Sequence, residues 1–350
     1  MCASYILVVM LDCEVGGDEA IVHPLAAFIR GYTQPGPGQH QCLPVGWSAR
    51  KAAAGPTAQW LEQIGATSLH ALVLPTPELP SIIEQIATRS PDVAGRIQVA
   101  ATGGGAIKFR ADIEAKLNVD FVAVDELKAT VSGWRAEAEE LAGGEDATEY
   151  PALICNVGTG VSLVRVDDAQ GTYERVSGSG IGGATFWGLV RRLTQFPSFD
   201  DAVCAARQSG DPGKADMLVG DIYGAEASAA IGLPPDLVAG FLGKLGADNL
   251  TDADVSAALL RMVASNLGQL AVFQARLMGV ATVWFTGGFV MSAGEPPVGA
   301  GSVVRHAVAE AVSFWSANKV CAKFPHDAQM LGALGAAVVL LKPPAPAAMP

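Results

Sequence analysis

Charge is scarce in this 350-residue chain, and basic charge is scarcer still. Only 17% of the residues are charged, and 23 Lys and Arg stand against 35 Asp and Glu, a net charge of -12. A surface of that sign repels phosphodiester backbones and anionic headgroups, so neither nucleic acid nor a membrane surface is an expected partner. Histidine is rare too: the five His are scattered, without the paired spacing of a zinc site. The six cysteines, at positions 2, 13, 42, 155, 204 and 321, form no CxxC pair. That fits a reduced, cytoplasmic protein, in the cytosol with the nucleus also open to it, rather than a disulfide framework. No apolar run reaches the length of a bilayer span. The apolar Met1–Leu11 lacks a basic leader and runs into Asp12 and Glu14, unlike a secretory signal. No repeat recurs at solenoid periods.

What the chain has is apolar surface and glycine. Half of its residues are hydrophobic and forty are Gly, enough for a large core with tight turns. The most informative stretch is 153–193, LICNVGTGVSLVRVDDAQGTYERVSGSGIGGATFWGLVRRL. It reads as three strands (153–157, 161–166 and 172–176) split by Gly158-Thr159-Gly160 and by a turn at 167–171. A glycine loop, Ser177 to Gly183, then opens a helix with Phe186, Leu189, Val190 and Leu193 on one face. Glycines at a tight hairpin let backbone N–H groups converge on an anion, with the Thr159 and Ser162 hydroxyls beside them. A helix N-terminus offers the same through free N–H groups and its dipole. The pattern fits a phosphate at one loop and a second substrate at the other. It fits two ordinary turns equally well.

The segments NVGTGVSLVRV, ERVSGSGIGGATFWGLVRRLT and DMLVGDIYG, in that order, resemble the eukaryotic-type (type II) pantothenate kinases, over about 100–341. NLGQLAVFQARL looks most like the branch whose kinase-like module is often fused to a phosphatase. The resemblance implies an α/β, two-lobed actin-like ATPase fold (ribonuclease H-like) with an interlobe cleft. It implies ATP with Mg2+ as cofactors, pantothenate as acceptor, acetyl-CoA or CoA as a feedback ligand, and a homodimer. The lobes expected are 1–148 and 149–342, followed by a disordered tail, 343–350. Residues 31–58, rich in Gly, Pro and Gln, read as an irregular surface loop.

The resemblance also carries expectations for individual residues. Nucleotide contacts are expected from Gly158, Thr159, Gly160 and Ser162. They are also expected from Gly103 and Gly104 of the strand–glycine–helix corner TGGGA, and from Gly287 and Gly288 after the strand 281–285. Gly16 and Gly17 stand where the family has its first phosphate loop, but without its Thr and Lys, and with Asp18 and Glu19 nearby. Arg175 matches an arginine that binds pantothenate, together with Ser177, Gly178, Gly182 and Gly183. A guanidinium suits a carboxylate through a bidentate pair; the plain alternative is an arginine paired with Glu174 or another acid. Where the family has a catalytic carboxylate, just after TGGGA-x-KF, this chain has Arg110, with Asp112 and Glu114 further on. Arginine stays protonated and cannot act as a base. Either Asp112 serves, or Arg110 holds an anion, or the module is a weak or inactive kinase that binds ATP or acyl-CoA and regulates the pathway.

Further along, 113–121 reads as helical, with Ile113, Leu117 and Phe121 inward. The stretch 254–278 reads as one long helix, in the core or at a dimer contact, and 328–341 as a closing apolar helix.

Overall fold

A computed structural model describes residues 5–13, 66–75, 84, 98–117, 120–141, 149–290, 300–325 and 331–341. The chain divides into two compact units. The first comprises Ala3–Tyr150, Val166–Tyr173 and Gln329–Pro350; the second holds Pro151–Arg165 and Glu174–Ala328.

The first unit contains β1 (Tyr5–Cys13), β2 (Ala66–Pro75), β3 (Gln98–Thr102), helices α1 (Gly104–Lys108) and α2 (Arg110–Leu117), β4 (Asp120–Val124) and α3 (Glu126–Leu141). Its sheet runs β2-β1-β3-β4. β3 and β4 are parallel, as the intervening helices require. β1 is antiparallel to both β2 and β3, so its Cys13 end lies where β3 begins, not where β3 runs into Gly103. Ile113 is buried on α2 as expected, but Phe121, read as part of that helix, is buried on β4 instead. Asn118 and Val119 follow α2, and Phe121 to Val124 is a β-favouring run, so the helical period stops short of Phe121.

The second unit is built on β5 (Ala152–Val157), β6 (Val161–Val166) and β7 (Tyr173–Ser179), then α4 (Gly183–Leu193) and α5 (Phe199–Gln208). A segment of short elements, 211–250, leads to α6 (Asp252–Met278), β8 (Thr282–Thr286), α7 (Ala300–Ser316) and β9 (Cys321–Lys323). The sheet order is β9-β8-β5-β6-β7. β8 is parallel to β5 and to β9. β5 and β6 are joined by three residues, which only an antiparallel pair allows. Three antiparallel strands followed by two parallel ones give the mixed sheet expected of the actin-like, ribonuclease H-like class.

The core lies on this sheet. Leu153, Cys155, Leu163, Phe186, Leu259, Val263, Leu267 and Phe285 are fully buried. α6 supplies much of it, so the core reading of 254–278 holds. Its start is set by a capping box: Thr251 Oγ1 accepts from Asp254 N–H, and Asp254 Oδ2 accepts from Thr251 N–H at 3.0 Å. Asp254, fully buried, also accepts from Asp211 N–H at 2.7 Å and pairs with Lys214 at 3.3 Å. Asp216, equally buried, holds Arg261 of α6 and accepts from Leu242 N–H. Two buried aspartates thus fasten the 211–250 segment to α6.

The final helix, α8 (Leu331–Leu341), was taken with the second lobe from its place in the sequence, but it packs in the first unit, against α3. The contact is made at glycines. A side chain on Gly133 would collide with Leu331 O, and one on Gly335 with Ala129 O. The hairpin tip, 166–173, groups with the same unit. Arg135 of α3 donates to the carbonyls of Ala169 and Gln170, and Tyr173 Oη donates to Asp125 at 3.3 Å.

Candidate functional site

β5 and β8 lie side by side and point the same way, with Asn156 opposite Thr286. From β5 the chain turns to β6 on one side; from β8 it crosses to β9 on the other. Ligands of open α/β sheets bind outside the carboxyl ends of strands where the connections diverge in this way. Here that point gathers three of the predicted loops: Gly158–Gly160, Ser177–Gly183 and Gly287-Gly288.

The loops are knitted through their backbones. Gly158 N–H donates to Gly160 O at 2.9 Å and closes the hairpin. Gly183 N–H donates to Gly158 O at 3.0 Å, and Ala184 N–H to Thr159 O at 3.1 Å. The sequence reading expected free N–H groups at this helix N-terminus, but these two are taken by the hairpin. Their work is to hold α4 against it. The approach leaves no room for side chains: a Cβ on Gly182 would lie 2.9 Å from Gly160 Cα, and one on Gly183 would lie 2.8 Å from Gly158 O. Behind them Phe186, Phe199 and Phe289 meet edge to face, with ring centroids 5.3–6.0 Å apart. Phe289 N–H in turn donates to Val157 O at 3.0 Å, which fixes the Gly287 loop on β5.

Thr159 is exposed at the hairpin and Gly288 at the third loop, while Ser162 is half-buried on β6. Ser177 and Gly178 lie on β7, which extends to Ser179, so the second loop is shorter than read. Leu193, placed on the inner face of α4, is 38% exposed, beyond the turn that Val190 buries. Arg175 does not pair with Glu174. Neighbouring strand residues face opposite ways; Glu174 meets Arg165 at 3.4 Å, and Arg175 Nε donates to Ser162 Oγ at 3.2 Å, its guanidinium lying over Gly178.

In the first unit Gly103 lies between β3 and α1, at φ +83°, and Gly104 is the first residue of α1. Arg110 opens α2. Its Nε pairs with Glu114 Oε1 at 2.9 Å, and its guanidinium is 5.8 Å from the Phe121 ring. Asp112 is exposed on the same helix. Gly16 and Gly17 lie outside the described residues, as do 31–58 and the tail 343–350.

The stretches 156–162, 177–183 and 286–289 carry no charged side chain. Among the described residues no group of three His, Cys, Asp or Glu is placed to hold a metal ion. Burial pushes the Cys155 thiol up, which leaves it inert behind the hairpin. Sequence reasoning placed Thr286 and Phe289 in the third loop but missed Asn156, which ties β5 to it. The one available signal was a polar residue closing an apolar strand.

Residues 48–339 match the family model described as Fumble. The chain belongs to the Fumble family. Pantothenate kinase 1 of Arabidopsis thaliana is 36% identical to this Fumble-family chain over 277 residues, 73% of this chain and 70% of that protein. Pantothenate kinase 2 of Arabidopsis thaliana is 38% identical over 257 residues, 68% of this chain. The chain spans only 27% of the length of that second relative. Among solved structures, a ROK family glucokinase from Streptomyces griseus, in complex with glucose and AMPPNP, matches with 15% identity and a TM-score of 0.36, covering 65% of this chain and 70% of that one. The architecture rests on the strand order.

Proposed function

We propose that this Fumble-family protein is a pantothenate kinase, transferring the γ-phosphoryl group of ATP to pantothenate to give 4'-phosphopantothenate, on the route to coenzyme A. The observation that supports it best is the meeting of three uncharged glycine loops at the carboxyl ends of β5 and β8, with Arg175 beside them, in a chain 36% identical to a named pantothenate kinase. The neutral loops suit a triphosphate, and Arg175 suits the pantothenate carboxylate. Gly103 and Gly104 remain candidates for nucleotide contacts on the strength of the same resemblance. Mg2+ would enter with the nucleotide, since the loops offer no carboxylate.

Turnover is expected to be slow. Arg110 stands where the resembled kinases keep a carboxylate, and its pair with Glu114 occupies the nearby acid. Asp112 is the candidate base. This leaves a second reading, a weak or inactive kinase that binds ATP or acyl-CoA and regulates the pathway. The remaining expectations, a cytoplasmic homodimer that uses acetyl-CoA or CoA as feedback ligand, follow the same resemblance. Calorimetry with ATP, pantothenate and acetyl-CoA, beside an assay with radiolabelled pantothenate, tests the two functional readings. Labelled phosphopantothenate supports the kinase; acetyl-CoA binding without product supports the regulator; no binding of any of the three sinks both.

A further inference from the structure

Asn156 is a polar exception in an apolar strand. Leu153, Ile154, Cys155 and Val157 are fully buried around it, while Asn156 itself is half-buried. It is in register with Thr286, the last residue of β8, and the fully buried Thr286 hydroxyl donates to Asn156 Oδ1 at 3.3 Å. The same oxygen lies 2.6 Å from where a Cβ on Gly287 would stand, and Gly287 turns there at φ +96°. One side chain therefore spans from the foot of the Gly158–Gly160 hairpin to the root of the Gly287-Gly288 loop. Stability alone does not call for it, because replacing both partners of such a bond with apolar groups of like shape is nearly neutral. Among the described residues, the Thr286 bond is the one hydrogen bond of this side chain, so its Nδ2 donors are uncommitted.

We infer that Asn156 is a positioning residue for the nucleotide, an uncharged tie that sets the spacing between the phosphate hairpin and the third loop and keeps negative charge away from the triphosphate. The inference rests on the nucleotide reading of the three loops given above. Its sharpest consequence concerns aspartate. Asn156→Asp keeps the shape and the acceptor for Thr286, so a role confined to the sheet survives it. It also adds the first carboxylate to these loops, where like charge opposes a triphosphate.

The experiment is calorimetry of the full chain with ATP and with adenosine, Mg2+ chelated so that no cation masks the carboxylate. For Asn156→Asp we expect unchanged thermal unfolding, unchanged adenosine affinity and a loss of ATP affinity of about tenfold that shrinks with added salt. ATP affinity equal to wild type, or an equal loss for adenosine, overturns the inference. If Asn156→Asp fails to fold, Thr286→Val takes its place. It removes the tie without adding charge and should weaken ATP binding a few-fold, about what one neutral hydrogen bond is worth; no change overturns the inference. A wild-type chain that binds neither adenosine nor ATP defeats the nucleotide reading itself, and this inference with it.

Discussion

Arg175 Nε donates to Ser162 Oγ at 3.2 Å, from β7 across to β6. The pair joins a residue assigned to the acceptor with one assigned to the nucleotide. Arg175→Ala should raise the KM for pantothenate far more than that for ATP, by about tenfold or more, as fits the loss of a charged hydrogen bond. Ser162→Ala, which frees the guanidinium, should have a smaller effect in the same direction. Steady-state kinetics with each substrate varied checks both. Equal effects on the two KM values would place Arg175 elsewhere.

Arg110 and Glu114 form an exposed pair one helical turn apart. Arg110→Glu puts a carboxylate where the resembled kinases have theirs, and turnover of labelled pantothenate should rise by about 10²-fold or more. Asp112→Asn should lower the wild-type rate further, because Asp112 is the candidate base. A brisk wild-type rate that Asp112→Asn abolishes would show that Asp112 is the base and that Arg110 never mattered.

Gly182 and Gly183 are pressed against hairpin backbone, which cannot move aside as a flexible side chain can. Either one changed to Ala should cost about 1–3 kcal/mol of stability and weaken nucleotide binding, because the hairpin is pushed from α4. Urea unfolding followed by ATP calorimetry measures both. Gly188→Ala on the same helix, with open space around it, is the control: it should leave ATP binding unchanged and, if anything, raise stability by about 0.5–1 kcal/mol.

Burial alone would push the Asp254 carboxyl up. The N–H of Asp211, the hydroxyl and N–H of Thr251, and the Lys214 ammonium outweigh it and bring the group from an ordinary 3.8 down to about 2. A carboxylate depressed in the folded state stabilises it fully above the unfolded value and loses that contribution as pH falls through the folded one. Thermal stability should therefore drop between about pH 4 and pH 2, and the Asp254 part of that drop should vanish in Asp254→Asn. That variant should already be less stable at pH 7, by about 2 kcal/mol. A wild-type and variant difference that stays constant from pH 7 to pH 2 would contradict this linkage.

The second unit was the more legible of the two, because its signals are local. The strand breaks at Gly158–Gly160 and 167–171, and the period of α6, stand in the sequence without help from distant residues. Phe121 was misread because a helix and a following strand can both place an apolar residue inward, and the break at 118–119 carries no Gly or Pro. The free N–H groups expected on α4 were a fair reading of one loop alone. What fills them is the carbonyl row of a hairpin some twenty residues earlier, a fact of tertiary packing. The role of Asn156 was hidden for the same reason, since its partner Thr286 lies 130 positions away.

The crossing of α3 and α8 on Gly133 and Gly335 sets an order of assembly. As the ribosome extends the chain, the sheet of the first unit emerges early but lacks the helix that covers it, and Ala100, Val124 and Ala129 wait for Ala336. Residues 151–328 can bury their own core in the meantime. The part made first is thus finished last, after a long-range closure of the kind that slows folding. Until then its unfinished apolar surface is a natural substrate for chaperones.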